Sequence, residues 1–370
     1  MAIPKPVPLY PTYKDLKDVR LEEFPDIAAV LADTDQWKSK AWLWGQEFLS
    51  YIVRNKSEHT YTRFRSEVEK FLLWAFLIKN KPIDQYRKAD ILEYADFCWR
   101  PPDKKKYRPS QETLQATFTA INAFYKHLTD EEYCYGNPVQ LAKKDCRYLI
   151  KDAQVKDVKR LTGDQWNFLL EVAHTMADDD SRYERSLFLI ASLKTLFLRI
   201  SEYSDRAEWS PTMSHFWKDN DNNWWLKIYG KGRKVRDITV PPSFLSYLSR
   251  YRLYRGLNKL PVAGENHPII EKIRGRGGMT ARQLSRLVQE VFDMAYERMK
   301  ARYGEENASN FKEATSHWLR HTGASLEIER GRALKDVSED LGHASMSTTD
   351  TVYVQADDKK RAASGKERKV

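Results

Sequence analysis

The spacing of apolar residues between about residue 35 and residue 142 constrains the fold more than any other feature of the sequence. One segment, "SEHTYTRFRSEVEKFLLWAFL", repeats apolar residues every three or four positions, as one face of an α-helix requires. Its predicted buried stripe consists of Tyr61, Phe64, Val68, Phe71, Leu72 and Ala75. Pro101 and Pro102 end a later helix, and Ser110 is placed to cap the next one. The pattern predicts an all-α domain of four or five helices over residues 35–142.

The aromatic residues of this region are expected in its core. Trp74 and Tyr125 both fall at helical spacing, which favours packing between helices over stacking on nucleic-acid bases. The lysines and arginines between them are better candidates for contact with a partner. With 62 Lys and Arg against 52 Asp and Glu, the formal charge of +10 indicates basic patches rather than a uniformly basic surface. Such a balance favours a polyanionic partner, with nucleic acid ahead of a membrane surface.

The N-terminal segment and the cysteines argue against several classes of protein. Residues 1–34 are rich in proline and charge and lack the apolar core that is typical of a signal peptide. The chain has no run of about 18 apolar residues, so no membrane span is expected. Cys98, Cys134 and Cys146 are odd in number and lack C-x-x-C spacing, which argues against a disulfide framework or a cysteine zinc site. We therefore expect a cytoplasmic protein in a reducing compartment.

A change of composition after Pro138 divides the chain. Residues 143–160, "KKDCRYLIKDAQVKDVKR", carry seven Lys or Arg against three Asp, so we interpret them as a basic linker. A solvated surface strand is the alternative for such a charge run. Helical spacing resumes at "LTGDQWNFLLEVAH", with Thr162 as the expected cap. The predicted second domain covers residues 161–353, and residues 354–370 form a charged tail.

A β-hairpin is predicted inside the second domain. The segment "NNWWLKIYGKGRKVRDITVPP" has two alternating apolar runs on either side of Gly230, Lys231 and Gly232. The cations at or near its tip are Lys231, Arg233, Lys234 and Arg236. Taken alone, this charge is explained by the solubility that a turn needs, and only its context in the chain suggests a functional role.

Two histidines in "ATSHWLRHTGASLEIERGRALKDVSEDLGHASMSTTDTVYVQ" raise the question of a metal site. His317 and His321 are four residues apart and share a helix face, as the two histidines of a zinc hydrolase do. The residues between them include Arg320 but no glutamate to act as a base, and a fixed guanidinium repels a dication. We therefore predict no metal here, and we expect His321 to be structural, packed against the helix that follows.

A series of separated motifs runs through the second domain. These are "RISE" from Arg199, "GKGRK" on the hairpin, "HWLRHTGAS" from His317, "LGH" ending at His343, and a tyrosine ten residues later, Tyr353. In this order they resemble the motifs of the tyrosine recombinase (phage integrase) family, and several motifs in register are far more specific than one. The patterns "T-Y-x-x-F…F-L-L-W" and "N-P" in the N-terminal helices are similar, more weakly, to the family's core-binding domain.

The resemblance implies a two-domain fold. An all-α N-terminal core-binding (SAM-like) domain is expected to precede a mixed α+β, mainly helical, catalytic domain with a small antiparallel sheet. Together the two domains, joined by the basic linker, are expected to close around duplex DNA. The implied function is that of a site-specific DNA recombinase, which cleaves and rejoins strands at two sites.

The resemblance also implies a phosphate-binding role for two arginines. Arg199 and Arg320 match the family's catalytic arginines, which clamp the scissile phosphate, since a guanidinium can donate two parallel hydrogen bonds and stays charged. Two fixed cations stabilise the transition state more than the ground state, because charge gathers on the phosphate oxygens as the reaction proceeds. Glu202 matches the acidic position that orients this cluster.

The same resemblance makes Tyr353 the nucleophile, and no other tyrosine follows Tyr303. A phenol with a reference pKa of about 10 needs a base and a cationic site to attack at neutral pH. His317 matches the histidine that helps deprotonate the nucleophile, His343 the one that hydrogen-bonds the phosphate, and Lys231 the general acid. The implied product is a 3′-phosphotyrosyl bond with a free 5′-hydroxyl, so neither ATP nor a metal cofactor is implied.

The implied partner is double-stranded DNA, bound by a homotetramer on synapsed sites, with an accessory directionality protein as a further candidate partner. Two alternatives remain open. A type IB topoisomerase would use similar chemistry for relaxation alone, although the motif spacing matches recombinases. A non-catalytic DNA-binding relative is disfavoured because every catalytic residue type is present.

The chain departs from the family at two places. Phe197 stands two residues before Arg199, where the family has a small glycine, so the sequence leaves the geometry of this turn undecided. The first 35 residues are too short and too rich in proline to resemble the arm-binding domain of the larger phage integrases. A simpler target site is therefore predicted.

Overall fold

A computed structural model gives two compact units, whose sequences divide between Ala153 and Gln154. The structure describes residues 9–17, 36–100, 108–147, 149–150, 159–230 and 234–343. Lys231 and Tyr353 of the predicted site, and the predicted tail, lie outside the described residues. The predicted fold class is confirmed: the first unit is helical, and the second is mainly helical with a small antiparallel sheet.

Five α-helices build the first unit within the described residues. They are Gln36–Asn55 (α1), Glu58–Trp74 (α2), Lys88–Trp99 (α3), Gln111–Asp130 (α4) and Pro138–Asp145 (α5). The Ser110 hydroxyl caps α4 by accepting a hydrogen bond from the backbone N–H of Thr113, as predicted. The end of α3 at Trp99 agrees with the stop expected from the prolines that follow.

The predicted apolar stripe on α2 lies in the core of the first unit. Five of its members are buried and one, Phe64, is partly buried; the buried ones are Tyr61, Val68, Phe71, Leu72 and Ala75. The Phe71 ring makes edge contacts with Tyr94 and Tyr125, at centroid distances of 5.2 and 5.9 Å. Trp74 and Tyr125 are both buried, which confirms their prediction as core residues.

Part of the N-terminal segment belongs to the same core. The Tyr10 hydroxyl donates to the backbone carbonyl of Trp42 at 2.9 Å, and the Trp42 indole donates to the carbonyl of Leu9 at 2.9 Å. Gly45 leaves room for this insertion, because a Cβ at that position would lie 2.0 Å from the Tyr10 oxygen. Burial raises the pKa of Tyr10 well above its usual value. The first unit thus includes residues that the sequence assigns to a separate segment over 1–34.

At its other end the first unit extends into the predicted basic linker, residues 143–160. Helix α5 continues to Asp145, and Cys146 and Leu149 are buried in the core. The sequence pattern missed this packing because the few apolar residues within this run of charges show no helical periodicity. Residues 151–158 lie outside the described residues.

Seven α-helices belong to the second unit within the part of the chain that the structure describes. They are Gly163–Asp179 (α6), Glu184–Thr195 (α7), Pro242–Tyr254 (α8), Ala281–Tyr303 (α9), Glu305–Glu313 (α10), Ser316–Glu329 (α11) and Leu334–Leu341 (α12). Thr162 caps α6 as predicted, in a reciprocal pair with Gln165. Helix α7 is buried continuously from Ser186 to Lys194, so it forms the centre of this unit.

A three-stranded antiparallel sheet carries the predicted hairpin. Its strands are Phe216–Lys218 (β1), Trp224–Tyr229 (β2) and Val235–Val240 (β3), and β2 lies between the other two. Trp224 pairs with Val240 and Tyr229 pairs with Val235, which confirms the hairpin. The tip, residues 231–233, lies outside the described residues.

Helix α11 packs against the end of α7 at a position without a side chain. A Cβ on Gly323 would lie 1.9 Å from the carbonyl oxygen of Lys194. The neighbouring Thr322 hydroxyl accepts a 3.0 Å hydrogen bond from the backbone N–H of Leu161. This close packing places the histidine-containing helix beside the turn that follows α7, where Arg199 lies.

The three cysteines are free thiols. Burial raises the pKa of Cys98 to about 12 and that of Cys134 to about 11, so these thiols are poor nucleophiles at neutral pH. Among the described residues, every helix is too short or too polar to cross a membrane.

Candidate functional site

Five of the seven predicted site residues are described, and the structure brings them together from three segments. Arg199 and Glu202 lie in the turn after α7, His317 and Arg320 lie on α11, and His343 directly follows α12. Hydrogen bonds or close charge interactions connect all five. The site therefore forms where three motifs meet, and its remaining two members lie outside the described residues.

The turn before Arg199 has an unusual backbone conformation. Phe197 has a φ of 50°, in the left-handed region that favours glycine and costs another residue about 1–2 kcal/mol. Its buried ring packs in a small cluster with Ala324, Val337 and Leu341. Phe197 thus adopts the kind of backbone conformation that suits glycine, the residue that the resemblance predicts at this position. Arg199 follows in extended backbone, after the end of α7 rather than on the helix.

Glu202 is the anion of the site. Its side chain is 1% exposed and accepts hydrogen bonds from the backbone N–H of Arg199 at 2.8 Å and from its Nη1 at 3.2 Å. Arg236 donates to the same carboxylate through Nη1 and Nη2, at 2.7 and 3.1 Å. Burial opposes ionisation of Glu202, but the hydrogen bonds and charge of Arg236, with the backbone hydrogen bond from Arg199 and the charge of Arg320, keep its pKa below the usual value. The ionised carboxylate therefore orients two guanidiniums.

Arg320 is fixed by backbone carbonyls. Its Nη1 donates to the carbonyl of Phe197 at 2.5 Å, and its Nη2 donates to the carbonyl of Leu341 at 2.6 Å. The Nη2 atom also lies 3.4 Å from Nε2 of His343. Because the residue is only 1% exposed, the guanidinium has a defined position and stays charged in a region of low dielectric.

The histidines of the site are neutral at neutral pH. Burial, followed by the charges of Arg320 and Arg199, lowers the pKa of His317. The same causes, in the same order, lower the pKa of His343 to about 4. Each neutral imidazole therefore carries one N–H donor and one acceptor nitrogen at neutral pH.

His321 lies beside His317 on α11. Their ring centroids are 4.5 Å apart at an interplanar angle of 86°, so His321 contacts the site histidine edge-on. Burial, then the neighbouring His317, lowers the pKa of His321 to about 4. Among the described residues, no group of three or more His, Cys, Asp or Glu side chains is arranged to hold a metal ion.

Sequence reasoning missed the contacts of Arg236 and Asp340. Nε of Arg236, on β3, donates to the backbone carbonyl of Asp340 at 3.1 Å. The buried Asp340 carboxylate accepts hydrogen bonds from the backbone N–H and the hydroxyl of Thr239, at 3.2 and 2.8 Å. It also pairs with Arg332 at 2.5 Å. These contacts fasten the end of α12, and hence the segment before His343, to the sheet.

A signal for Arg236 exists in the strand pattern. Side chains alternate along β3, so Arg236 shares a face with Ile238 and Val240, which are both buried. A cation on the inward face of a strand requires an anionic partner. From this alternation, the sequence alone could have predicted that Arg236 points inward, unlike the solvated cations near the hairpin tip.

The arrangement suits binding of a phosphodiester. Three guanidiniums, from Arg199, Arg236 and Arg320, surround one carboxylate and leave an excess of positive charge. The Arg199 side chain is 28% exposed and can reach a ligand, whereas Arg320 lies deeper. Fixed cations of this kind stabilise charge that develops on phosphate oxygens.

Comparisons with known proteins place the second unit in a known family. Residues 159–360 match the model for the phage integrase family. The chain is 25% identical over 326 residues to the tyrosine recombinase XerC of Chlorobaculum parvum, and the alignment covers 83% of this chain and 88% of that protein. A tyrosine recombinase of Thermosipho africanus is 25% identical over 320 residues, which cover 85% of this chain and 95% of the relative.

Solved structures share the fold. The XerH site-specific recombinase bound to a palindromic difH substrate, in a post-cleavage complex, matches with a TM-score of 0.62 at 19% identity and covers 90% of both chains. The Tn1549 transposon integrase in complex with circular intermediate DNA matches with a TM-score of 0.56 at 18% identity, covering 84% of this chain and 94% of that one. At these identities the similarity establishes the fold.

Proposed function

The chain belongs to the phage integrase family, and from that premise we propose how its site residues cleave and rejoin DNA. It is a tyrosine-type site-specific recombinase, an enzyme of DNA recombination and integration. The family match spans residues 159–360, a range that includes all seven predicted site residues. The comparisons give no support to a type IB topoisomerase or to a non-catalytic DNA-binding relative.

The observation that carries the proposal is the fixed pair of guanidiniums. Glu202 orients Arg199, and two backbone carbonyls orient Arg320. Both cations are assigned to the non-bridging oxygens of the scissile phosphate. Charge on these oxygens increases in the transition state, so cations already in position lower the barrier without reorganisation.

The proposed cleavage step transfers the phosphate from the DNA to Tyr353. The phenol oxygen attacks phosphorus and forms a 3′-phosphotyrosyl bond while the bond from phosphorus to the 5′-oxygen breaks. His317 takes the phenol proton, which a neutral imidazole can do, and Lys231 gives a proton to the leaving 5′-oxygen. His343 hydrogen-bonds the phosphate. Attack by the 5′-hydroxyl of another strand reverses these steps and rejoins the DNA.

The proposed partner is double-stranded DNA. XerH and the Tn1549 integrase have been solved with a difH substrate and with circular intermediate DNA, respectively, and we assign duplex DNA to this chain as well. We also propose a homotetramer on two synapsed sites and an accessory protein that sets direction. A cytoplasmic location belongs to the same proposal.

Strand exchange between two DNA molecules tests this function. A target site is first isolated by selecting bound sequences from randomised duplexes. Two duplexes of different length that carry this site are then incubated with the protein, and products that join an end of each are expected. Relaxation of a supercoiled plasmid without such products would identify a topoisomerase. Binding with neither reaction would identify a non-catalytic relative.

A further inference from the structure

Arg236 connects two of the three segments that form the site. Its Nη1 and Nη2 donate to the Glu202 carboxylate at 2.7 and 3.1 Å, and its Nε donates to the carbonyl of Asp340 at 3.1 Å. Its side chain is 14% exposed. We propose that Arg236 is a positioning residue that sets the orientation of Arg199 and of the segment ending in His343. The inference rests on the proposed function and adds a residue that the motif series does not include.

Two motif glycines leave the space that Arg236 occupies. A Cβ on Gly230 would lie 2.9 Å from Nη1 of Arg236, and a Cβ on Gly342 would lie 2.8 Å from its Cδ. Gly342 also has a φ of 65°, which disfavours any other residue. These glycines immediately precede Lys231 and His343 in the sequence. Both motifs thus contact the Arg236 side chain through a residue that cannot be enlarged without moving it.

Arg236 also supports the charge on which the Arg199 contact depends. Burial raises the pKa of Glu202, and the hydrogen bonds and charge of Arg236 are the strongest opposing influence. The ionised carboxylate accepts hydrogen bonds from both the backbone N–H and Nη1 of Arg199. Without Arg236, Glu202 would lose two charge-assisted hydrogen bonds, and Arg199 would lose a rigid acceptor. Arg236 therefore acts on the phosphate through Glu202 and Arg199.

Arg332 offers a matched control, because it is an arginine bound to the same helix end. Its Nη2 lies 2.5 Å from the Asp340 carboxylate and 3.2 Å from the Thr239 hydroxyl. Replacing it removes one guanidinium and one anchor of α12. It leaves in place the fork, by which we mean the pair of hydrogen bonds from Nη1 and Nη2 of Arg236 to the Glu202 carboxylate. A role of Arg236 limited to anchoring α12 would make the two arginines equivalent.

The test measures formation of the covalent protein–DNA adduct in a single turnover on a nicked duplex carrying the selected site. Arg236→Ala is expected to lower the rate constant of adduct formation at saturating DNA by about 100-fold. A displacement of a reacting group by about 1 Å has an effect of this size. The affinity for DNA is expected to stay unchanged. Arg236→Lys keeps the charge but cannot form the fork, so it is also expected to be slow. Arg332→Ala loses one anchor of α12 but keeps the hydrogen bonds from Arg236 to Glu202, so it is expected to be slowed much less than Arg236→Ala.

Chemical rescue separates positioning from general loss of structure. Guanidinium ion, at concentrations that leave the wild type folded, is expected to restore activity to Arg236→Ala by binding Glu202 in the space beside Gly230 and Gly342. Methylammonium, which cannot form the fork, is expected to have no effect, and neither ion should change Arg332→Ala.

The outcomes distinguish this inference from the proposed function. A wild type that forms no adduct would defeat both. With an active wild type, an Arg332→Ala rate as low as that of Arg236→Ala, or a lack of guanidinium rescue in a folded Arg236→Ala, would overturn the role of Arg236. If Arg236→Ala does not fold, Arg236→Lys decides, and a wild-type rate in that variant would overturn the inference.

Discussion

Arg320 donates a 2.5 Å hydrogen bond to the backbone carbonyl of Phe197, a residue whose φ is 50°. The contact joins α11 to the turn that precedes Arg199, and so it couples the two arginines of the proposed phosphate clamp. Arg320 binds the Leu341 carbonyl with its other terminal nitrogen, at 2.6 Å. The position of one guanidinium thus depends on the backbone conformation of the turn that presents the other.

Substitutions at Phe197 measure the strain in this turn. Phe197→Ala and Phe197→Gly both remove a buried ring, so each is expected to lower the free energy of unfolding by about 3–5 kcal/mol. Glycine adopts this φ without steric cost, and we expect Phe197→Gly to be the more stable of the two by about 1 kcal/mol. Urea unfolding followed by circular dichroism compares them. Alanine is more stable than glycine at ordinary positions, and that order here would contradict the strained turn.

Local patterns in the sequence predicted the helices and the hairpin. Ser110 and Thr162 cap the helices that were expected to begin there, and the α2 stripe is buried. These features depend on residues within a turn or two of each other, which is the range over which helical periodicity and capping operate. The same reasoning explains why the hairpin was predictable from two alternating runs around a glycine pair.

Contacts between distant segments were not predictable in this way. Tyr10 reaches Trp42 across 32 positions, and Arg236 reaches Glu202 across 34. Helical periodicity and capping relate only neighbouring residues, so they do not predict such pairs. The alternation along the strand does indicate that the Arg236 side chain points inward. The positive φ of Phe197 could not be predicted for another reason: glycine commonly adopts the left-handed region, whereas phenylalanine rarely does. The motif resemblance predicts the site residues but not the residues that hold them.

His321 and His343 are expected to titrate near pH 4, well below the usual pKa of histidine. Burial is the first cause that lowers the pKa of each to about 4, followed by His317 for His321 and by Arg320 for His343. The sequence has eight histidines, and imidazole resonances observed by NMR during an acid titration should include these two with midpoints near pH 4. His343→Gln should remove one of them. Midpoints near 6.5 for both would contradict the burial of the site.

The lowered pKa of His343 makes the free energy of unfolding depend on pH. The folded pKa of His343, about 4, lies below its usual value of 6.5, so the unfolded chain binds more protons between these values. The contribution of neutral His343 is fully present above pH 6.5 and is lost as the pH falls towards 4. His343→Gln is therefore expected to lose less stability than the wild type over this interval, as measured by urea unfolding. Equal losses in both proteins would argue against a buried neutral imidazole.

Tyr353→Phe tests the nucleophile. The substitution removes only the phenol oxygen, so we expect binding to the selected site to be retained and the covalent adduct to be lost. A nicked suicide duplex traps the wild-type adduct for detection on a denaturing gel. The reaction is run in EDTA, where the wild type is expected to react normally. An adduct formed by the Phe variant, or a strict requirement for a divalent metal in the wild type, would reject the mechanism.

The last prediction separates Lys231 from Lys234 as the general acid. A 5′-alkoxide leaves poorly without a proton, so loss of the acid should slow cleavage of ordinary DNA by about 100- to 10,000-fold. A 5′-bridging phosphorothiolate has a better leaving group and needs little protonation. Lys231→Ala is therefore expected to be severely slowed on ordinary DNA and nearly restored on the sulfur substrate.

Lys234 supplies the matched control for this experiment. Its side chain is exposed, and its backbone carbonyl accepts a 2.8 Å hydrogen bond from the N–H of Gly230, a contact that alanine retains. Lys234→Ala should keep the hairpin and show mainly weaker binding to both substrates. Lys231 is preferred because it occupies the family's motif position between Gly230 and Gly232. Sulfur rescue of Lys234→Ala, together with normal cleavage by Lys231→Ala, would instead assign the proton to Lys234.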